Sequence, residues 1–253
     1  MKIAIVTGAS SGLGAEFVRT LAAKYGHRLD EIWAIARRKD RLGSLKSEIT
    51  ACTVRPMAMD LSSPDSFSQL SLLLKNAHAD LRILVNNAGY CSCGRFDTME
   101  PDRMLSMISL NVTALTMVSR CCLPHMRKGS FMILTCSVSS FVPVIGQAVY
   151  SATKAYVRFL GQALHAEMKQ KGVNVLTLCP GNMNTEMNRK GAADEKAGRL
   201  PYLNLKTITA KSLERAAAGK GFYTPGWFYK GYRVVSKLLP QALLLMKATD
   251  GMF

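Results

Sequence analysis

Residues 2–14 read KIAIVTGASSGLG, an apolar strand that runs directly into a glycine-rich turn. Residues 14–25 carry apolar side chains at helical spacing, so the turn joins a strand to a helix. Gly8, Gly12 and Gly14 lack a side chain where the backbone must turn tightly, approach a phosphate and pack a helix on a sheet. The stretch predicts a nucleotide-binding unit with the phosphate at the helix N-terminus. Its GxxxGxG spacing leaves an ordinary glycine-rich turn as the alternative.

Strand and helix patterns alternate from this unit to about residue 180. Further strands are predicted at residues 31–36, 54–59, 81–85, 131–136 and 173–179, and helices at 41–50, from 63–65, 101–126, 150–169 and 209–219. Each strand is apolar on both faces, which is typical of a parallel sheet covered on both sides. The predicted fold class is α/β, a Rossmann-type doubly wound parallel sheet flanked by helices on both faces, in a single domain over residues 1–253.

The composition argues against several other classes of protein. The 253 residues are 48% hydrophobic, and no uninterrupted apolar run reaches the length of a membrane span, so none is expected. The apolar start of the chain is too short for a signal-peptide core, and we expect a cytoplasmic protein. Seven cysteines without a CxxC pair, and four scattered histidines, predict reduced thiols and no metal site.

The net charge of +16 is spread along the chain. A field of this sign attracts nucleic acids, anionic lipids or acidic ligands. Diffuse charge most often serves solubility, and no nucleic-acid partner is expected. The one tight basic cluster, Arg37, Arg38, Lys39 and Arg41, follows the second predicted strand and has a more specific use.

Small and polar residues follow the predicted strands, at the end where a parallel sheet binds its ligands. These residues are the 8–14 turn, Arg37, Asp60, the 86–89 segment, Ser137, Pro180 and Gly181. The carboxyl ends of parallel strands lie at one edge of a sheet. We therefore expect these residues to form a single site.

The end of the second strand distinguishes between the two nicotinamide dinucleotides. An acidic residue there binds the ribose 2′-hydroxyl of NAD, whereas a guanidinium suits the 2′-phosphate of NADP. Here the strand meets Arg37 and Arg38, with no acidic residue before Asp40. We expect NADP(H) to be favoured over NAD(H), with Arg37 as the better candidate and Arg38 as the second. A solvated basic loop is the alternative.

Tyr150 and Lys154 lie four residues apart on one face of a predicted helix, and Ser137 follows the preceding strand. The pKa of a free tyrosine is about 10, too high for easy proton exchange near neutral pH. A nearby ammonium group favours the phenolate and would lower that pKa. Ser137 can hydrogen-bond a substrate oxygen on which charge develops. The three side chains predict proton transfer at a carbonyl or alcohol oxygen.

Asn111 lies in the middle of an otherwise apolar helix, where asparagine is a poor residue because its side chain competes for backbone groups. One interpretation is an exposed polar position. The other is a kinked turn that holds a water molecule next to Lys154.

Together these motifs resemble the short-chain dehydrogenase/reductase family over nearly the whole chain. The matching segments are TGASSGLG at 7–14, Asp60, NNAG at 86–89, Asn111, Ser137, YSATK at 150–154 and PGNMNT at 180–185. The resemblance implies a catalytic tetrad of Asn111, Ser137, Tyr150 and Lys154. The cofactor-binding residues that we expect are Gly8, Ser10, Ser11, Gly12, Leu13, Gly14, Arg37, Arg38, Asp60, Leu61, Asn87, Ala88, Gly89, Tyr150, Lys154, Pro180, Gly181 and Thr185.

The same resemblance implies individual roles. Asp60 would meet the adenine, Asn87 would support the cofactor region, and Lys154 would also hold the nicotinamide ribose. Thr185 would touch the carboxamide, and residues 186–205 would form a substrate-binding lid. The apolar residues in and beside that lid suggest an apolar ligand; they are Met183, Met187, Leu200, Tyr202 and Leu203.

Residues 222–253 depart from the family pattern as an atypical apolar extension. Many relatives finish on a short strand, whereas this chain carries TPGWFYKGY and a leucine-rich tail at 234–246. We expect the tail to be buried over the cleft or in a neighbouring subunit, because Pro240 interrupts any long helix; contact with a membrane surface is the less favoured alternative. Cys91 and Cys93 are also unusual, and we expect them to face the cleft.

The sequence therefore predicts an NADP(H)-dependent oxidoreductase that interconverts a carbonyl and a secondary alcohol, on an apolar substrate such as a steroid or fatty-acyl ketone. The alternative is a non-enzymatic, dinucleotide-sensing or partner-binding protein on the same fold. The resemblance also implies a homo-oligomer.

Overall fold

The computed structural model of this protein describes residues 1–186 and 200–240. Its centre is a sheet of seven strands, all of which pair in parallel, in the order β3-β2-β1-β4-β5-β6-β7. The strands are β1 (Lys2–Thr7), β2 (Glu31–Ala36), β3 (Thr53–Ala58), β4 (Asp80–Asn86), β5 (Phe131–Thr135), β6 (Asn174–Leu178) and β7 (Phe222–Tyr223). The order reverses between β1 and β4, which is where a doubly wound sheet opens a crevice at its carboxyl edge.

Helices connect the strands and cover the sheet. They are α1 (Gly12–Tyr25), α2 (Lys39–Glu48), α3 (Asp65–Asn76), α4 (Pro101–Ile108), α5 (Leu115–Cys122), α6 (Ala148–Met168), α7 (Leu205–Ala217) and α8 (Trp227–Leu238). A π-helical turn, Ser109–Ala114, joins α4 to α5, and short 3-10 turns lie at Gly26–Arg28, Leu123–His125, Val138–Ser140 and Lys169–Lys171.

Each face of the sheet carries its own apolar core. In β1, Ile3 and Ile5 face the core that contains α3, α5 and α6, whereas Ala4 and Val6 face the core that contains α1, α2 and α7. All four side chains are fully buried. This alternation follows from the two-residue period of a strand and explains why β1 is apolar at every position. The predicted fold class is confirmed.

The predicted boundaries differ from the observed ones mainly at helix ends. The helix predicted to begin with Pro64 at its first position begins at Asp65, so Pro64 is the N-cap residue. The helix predicted at 101–126 is interrupted by the π-helical turn Ser109–Ala114, where one more residue is inserted per turn. Asn111, the polar residue in the apolar helix, lies in this turn.

One helical stretch within the described residues is long and apolar enough to span a membrane by length and composition. It is Pro101–His125, with a mean hydropathy of 1.3, and polar residues such as Asn111 and Arg120 interrupt it. Leu115 and Val118 are buried in the core against the sheet. An apolar helix that covers a sheet passes the same test of length and composition.

The C-terminal part retains a short edge strand, β7, in parallel pairing with β6, followed by α8. This strand was not predicted, because two residues are too few for a period to show in the sequence. In the predicted apolar tail, Val234, Val235, Leu238 and Leu239 are exposed. The described part of the tail is therefore not buried in its own chain, and residues 241–253 lie outside the described part.

Candidate active site

The glycine-rich turn adopts a backbone that requires glycine at two positions. Gly8 has φ +66° and Gly12 has φ +53°, both in the left-handed region. At Gly14, a Cβ atom would lie 2.2 Å from the carbonyl oxygen of Gly8, so the helix packs on the turn only without a side chain. Ser11 is the N-cap of α1, and its side chain makes no capping hydrogen bond. The N–H groups of the first helical turn are thus directed to the crevice, and this cradle fits a dinucleotide pyrophosphate.

Thr7 fixes this turn to the end of β4. Its Oγ1 atom accepts hydrogen bonds from the backbone N–H groups of Asn87 and Ala88, each at 2.9 Å, and donates one to Oδ1 of Asn86 at 3.2 Å. Asn87 Nδ2 donates to the Thr7 carbonyl oxygen at 3.1 Å. Thr7 and Asn86, both buried, are positioning residues; they lie in the predicted segments 7–14 and 86–89, but no individual role was predicted for them. A threonine at the end of an otherwise apolar strand was the available signal.

A small cavity of about 180 Å³ lies on the β2 and β3 side of the turn. Its lining includes Ser10, Arg37, Arg38, Asp60, Leu61, Ala88 and Gly89, all of them predicted cofactor-binding residues. The Asp60 carboxylate accepts hydrogen bonds from the backbone N–H and the hydroxyl of Ser62, at 3.0 and 2.7 Å. These hydrogen bonds, and then the Arg37 charge, hold the pKa of Asp60 below its usual value.

Arg38, rather than Arg37, lies against the glycine-rich turn. Its guanidinium donates to Ser10 Oγ at 3.0 Å and to Ser11 Oγ at 2.7 Å. It also forms an ion pair with Glu186 at 2.9 Å. Arg37 is exposed at the rim of the same cavity. The Glu186 carboxylate also contacts Arg41 at 2.5 Å, and its pKa is lowered to about 2 by the two guanidinium groups.

The larger cleft has a volume of about 360 Å³ and lies at the carboxyl ends of β1, β4, β5 and β6. It brings together three of the four predicted catalytic residues, Ser137, Tyr150 and Lys154. The predicted cofactor residues that line it are Gly8, Ser11, Gly12, Leu13, Asn87, Gly89, Pro180, Gly181 and Thr185. The glycine turn and the proton-transfer residues therefore face one space.

Lys154 is held rigidly at the base of this cleft. It lies on α6, only 4% of it is exposed, and its Nζ atom donates a hydrogen bond to the Thr135 carbonyl oxygen at 3.1 Å. Nζ lies 5.6 Å from the centroid of the Tyr150 ring. Burial lowers the pKa of Lys154.

The pKa of Tyr150 differs from the expected direction. Burial raises it, the neighbouring Cys91 raises it further, and a hydrogen bond with the Ser137 side chain opposes both. Lys154 was expected to lower this pKa. At 5.6 Å from the ring, and with its own charge disfavoured by burial, it does not outweigh desolvation of the phenol.

Asn111 is fully buried in the π-helical turn, which rules out the exposed interpretation. Its side-chain amide accepts from the Tyr90 backbone N–H at 3.0 Å and donates to the Tyr90 carbonyl oxygen at 2.9 Å. Asn111 Nδ2 also donates a hydrogen bond to Thr153 Oγ1 at 3.2 Å. At Gly89, a Cβ atom would lie 2.7 Å from Asn111 Oδ1 and 3.5 Å from Lys154 Nζ. Asn111 thus ties the segment after β4 to α6 beside Lys154.

Tyr229, which the sequence analysis did not single out, supports the segment after β6. Its ring lies on Gly181, where a Cβ atom would be 2.1 Å from Cζ of Tyr229. Its hydroxyl accepts from the Asn182 backbone N–H at 3.0 Å and donates to the Pro201 carbonyl oxygen at 2.8 Å. The phenol therefore joins the segment after β6 to Pro201, which lies in the C-terminal part of the predicted lid. The signal was a tyrosine within the aromatic run after residue 221, which periodicity alone could not place.

The family model for the short chain dehydrogenase matches residues 2–196, more than three quarters of the chain. The chain belongs to the short-chain dehydrogenase family. An uncharacterized oxidoreductase of Staphylococcus aureus strain N315 is 30% identical over 186 residues, which cover 73% of this chain and 79% of that protein.

Solved structures of other short-chain dehydrogenases have the same fold. The enzyme from Sphingobium yanoikuyae, solved in complex with NADPH, has a TM-score of 0.80 and 25% identity, and the match covers 96% of this chain and 95% of that one. The enzyme from Burkholderia cenocepacia J2315, in complex with NADP, has a TM-score of 0.78 and 26% identity, with coverages of 88% and 95%.

In this short-chain dehydrogenase, the remaining cleft wall is described in part. Met183 and Tyr202 line the cleft, whereas Leu203 packs against the core beside α1 and α7. Leu200 is partly exposed. Residues 187–199, which include Met187 and most of the predicted lid, lie outside the described residues. Cys91 and Cys93 line the cleft, as expected.

Proposed function

We propose that this chain is an NADP(H)-dependent oxidoreductase that interconverts a carbonyl and a secondary alcohol on an apolar substrate, such as a steroid or fatty-acyl ketone. The observation that carries the proposal is the single cleft that contains Ser137, Tyr150 and Lys154 together with the glycine-rich turn. The geometry supports chemistry at an oxygen atom next to a bound dinucleotide.

The residues of the cleft have separate tasks in this reaction. When bound, the reduced nicotinamide supplies a hydride to the carbonyl carbon. Tyr150 donates a proton to the carbonyl oxygen as general acid, and its raised pKa keeps that proton in place at neutral pH. Ser137 donates a hydrogen bond to the same oxygen as negative charge develops. Lys154, which is held by its hydrogen bond to the Thr135 carbonyl oxygen, places a polar amino group at the base of the cleft beside Tyr150.

NADP(H) is favoured over NAD(H) because of the arginines at the end of β2. In the proposal, Arg38 ranks above Arg37, since its guanidinium already lies over Ser10 and Ser11 at the nucleotide turn. A guanidinium forms paired, charge-assisted hydrogen bonds with a phosphate. The two solved relatives that hold NADPH or NADP are consistent with this choice.

Glu186 is expected to compete with a 2′-phosphate for Arg38. Its carboxylate forms an ion pair with the guanidinium group that the 2′-phosphate would bind. We expect Glu186→Gln to tighten NADPH binding by about two- to fivefold, a modest gain because exposed ion pairs are weak. The effect on NADH should be smaller, since NADH has no 2′-phosphate.

Fluorescence titration with both nucleotides measures this effect. Glu214→Gln, which removes another exposed acid that is paired with Lys24, is the matched control and should change neither affinity. Unchanged or weaker NADPH binding in Glu186→Gln would show that the Glu186 carboxylate does not oppose the phosphate.

The side chains of the cleft wall support the proposed substrate class. Several apolar side chains face the same space as Tyr150; they are Val138, Val144, Ile145, Met183 and Tyr202. This wall fits an extended or polycyclic ketone better than a small polar one.

The direct test uses the purified protein, NADPH and a panel of apolar ketones and aldehydes. We expect loss of the reduced-nicotinamide absorbance together with formation of the corresponding alcohol. NADPH binding without turnover of any carbonyl compound would favour the non-enzymatic alternative instead.

The raised pKa of Tyr150 predicts different pH dependences for the two directions. Reduction needs the neutral phenol and should be insensitive to pH near neutrality, whereas alcohol oxidation needs the phenolate. Below the pKa, the phenolate fraction grows about tenfold per pH unit, so kcat/KM for oxidation should rise steeply between about pH 7 and about pH 9. The measurement is a pH profile of both directions. A fall in reduction over this range, with flat oxidation, would contradict the assignment.

We also propose that the protein is a homo-oligomer and that it is located in the cytoplasm. Apolar side chains of α4, α5 and α6 are exposed in the single chain; they include Leu105, Met117, Tyr156 and Phe159, of which Phe159 is 68% exposed. Exposed apolar side chains that form a large patch mark protein interfaces, and burial of these side chains between subunits would remove them from water. The molar mass in solution tests this part.

A further inference from the structure

Cys91 and Cys93 bring two sulfur atoms together at the mouth of the cleft. Their Sγ atoms lie 3.6 Å apart. Both residues follow Gly89, where the missing side chain leaves room for Asn111 Oδ1. Cys91 is half-buried and Cys93 is exposed, so solvent reaches the pair.

The other cysteines in the chain lie in different surroundings. Cys122, Cys136 and Cys179 are buried in the core, where cysteine packs as a small apolar residue, and Cys136 also lines the floor of the cleft. Cys52 and Cys121 are half-buried and do not line the cleft. The Cys91 and Cys93 pair lies in the irregular segment between β4 and α4 instead. No cluster of three or more potential metal ligands occurs among residues 1–186 and 200–240. Within the part of the chain that the structure describes, two thiols with no third potential metal ligand beside them are better suited to redox chemistry than to a metal ion.

We propose that Cys91 and Cys93 form a reversible oxidation site, at which a hydroperoxide converts the two thiols into a disulfide. A disulfide requires an S–S distance of about 2.05 Å, so the sulfur atoms must approach by about 1.5 Å. The backbone beside the pair allows such a movement, because Gly94 with φ +152° follows directly. A bridge between residues only two positions apart is strained, and strain makes it readily reducible.

The reaction balances with one peroxide molecule. The exposed Cys93 thiolate attacks a peroxide oxygen, the O–O bond breaks, and an alcohol or water leaves as Cys93 becomes a sulfenic acid. The Cys91 sulfur then attacks the Cys93 sulfur, the S–OH bond breaks, and water leaves with the Cys91 proton. Two electrons pass from the two sulfurs to the peroxide.

The pair is asymmetric in a way that suits these two steps. The hydrogen bond to Cys93 and partial burial both raise the pKa of Cys91, so Cys91 retains its proton and acts second. Cys93 is the more exposed sulfur and meets the oxidant first.

Oxidation would change the cleft through a defined contact. The backbone N–H of Gly94 donates a hydrogen bond to the Gly146 carbonyl oxygen at 2.9 Å, which joins the Cys93 segment to the opposite wall. Movement of Cys93 is therefore transmitted to residues that line the cleft on both sides. We expect a several-fold lower kcat/KM for the carbonyl substrate in the oxidised protein. This consequence rests on the proposed function, whereas the oxidation itself does not.

Peptide mapping tests the oxidation without any need for turnover. Cleavage after Arg82 and Arg95 releases residues 83–95, which contain Cys91 and Cys93 and no other cysteine. The full-length protein is treated with increasing concentrations of hydrogen peroxide, and its remaining thiols are alkylated. The protein is then digested, and the masses of the peptides are measured by mass spectrometry. We expect this peptide to lose two hydrogens before any other cysteine is oxidised, and dithiothreitol to restore them.

Two variants and one control separate the steps. Cys91→Ser should accumulate a sulfenic acid at Cys93 that a dimedone probe traps, and Cys93→Ser should leave Cys91 largely reduced. Cys52→Ser removes a half-buried thiol far from the cleft and should leave the oxidation of the 83–95 peptide unchanged. The proposal would be overturned if both thiols of the 83–95 peptide could still be alkylated at peroxide concentrations that already oxidise Cys52 or Cys121. NADPH titration of each variant confirms that it is folded.

Discussion

Replacing Tyr150 by phenylalanine is expected to lower kcat for carbonyl reduction by roughly 10²- to 10⁴-fold, the usual contribution of a general acid. Phenylalanine keeps the ring and removes only the proton donor. NADPH binding should remain close to that of the wild-type protein, because the glycine-rich turn and Arg38 are unchanged. Steady-state kinetics and nucleotide titration of the same preparation measure the two effects.

Tyr156→Phe is the matched control for this variant. Tyr156 lies on the same helix, is 40% exposed, and pairs its hydroxyl with Thr116 rather than with the cleft. Loss of the Tyr156 hydroxyl should leave kcat nearly unchanged. Full turnover in Tyr150→Phe would remove Tyr150 from the reaction, and equal losses in both variants would point to damage to α6 instead.

The second large effect is expected at Arg38. Arg38→Asp replaces a guanidinium by a carboxylate at the site proposed for the 2′-phosphate, and a charge-assisted hydrogen bond contributes about 1.5–3 kcal/mol. We expect NADPH to bind about 10- to 100-fold more weakly. NADH binding should change little, so the preference between the two nucleotides should collapse or reverse.

Arg37→Asp provides the comparison that ranks the two arginines. Arg37 was the better candidate from the sequence, whereas in the structure the Arg38 guanidinium lies over Ser10 and Ser11. Arg37→Asp should therefore weaken NADPH binding less than Arg38→Asp does. A larger loss in Arg37→Asp would restore the original order, and no loss in either would mean that both arginines are surface charges.

Much of the fold was predictable because its signals are local. The strand at 2–6 and the three glycines of the turn specify a strand–turn–helix unit through sterics alone. Strands that are apolar on both faces indicate a covered parallel sheet, and the structure contains one. The two-residue strand Phe222–Tyr223 was missed because its pairing with β6 depends on distant residues rather than on a local pattern.

The site was predictable as a set of residues but not in its electrostatics. That Ser137, Tyr150 and Lys154 share a cleft follows from strand ends and helical spacing. The raised pKa of Tyr150 does not follow, since it depends on burial and on Cys91, which no spacing reveals.

Other contacts were hidden for the same reason. Glu186 reaches Arg38 across 148 residues of sequence, and Tyr229 reaches Asn182 across 47. Only the folded chain brings such pairs together. Asn111 is the intermediate case, since its position in an apolar helix signalled a special turn but did not identify Tyr90 and Thr153 as its partners.

The most direct test of the central claim follows a labelled hydride from the nucleotide to the product. The protein is mixed with a reactive apolar ketone and with NADPH that is deuterated at the transferable position of its nicotinamide ring, and the alcohol is analysed by mass spectrometry. We predict one deuterium on the former carbonyl carbon, in wild-type and Tyr156→Phe protein alike, with product formation nearly abolished in Tyr150→Phe. Alcohol that carries no deuterium, or bound NADPH that reduces no carbonyl compound, would contradict the account.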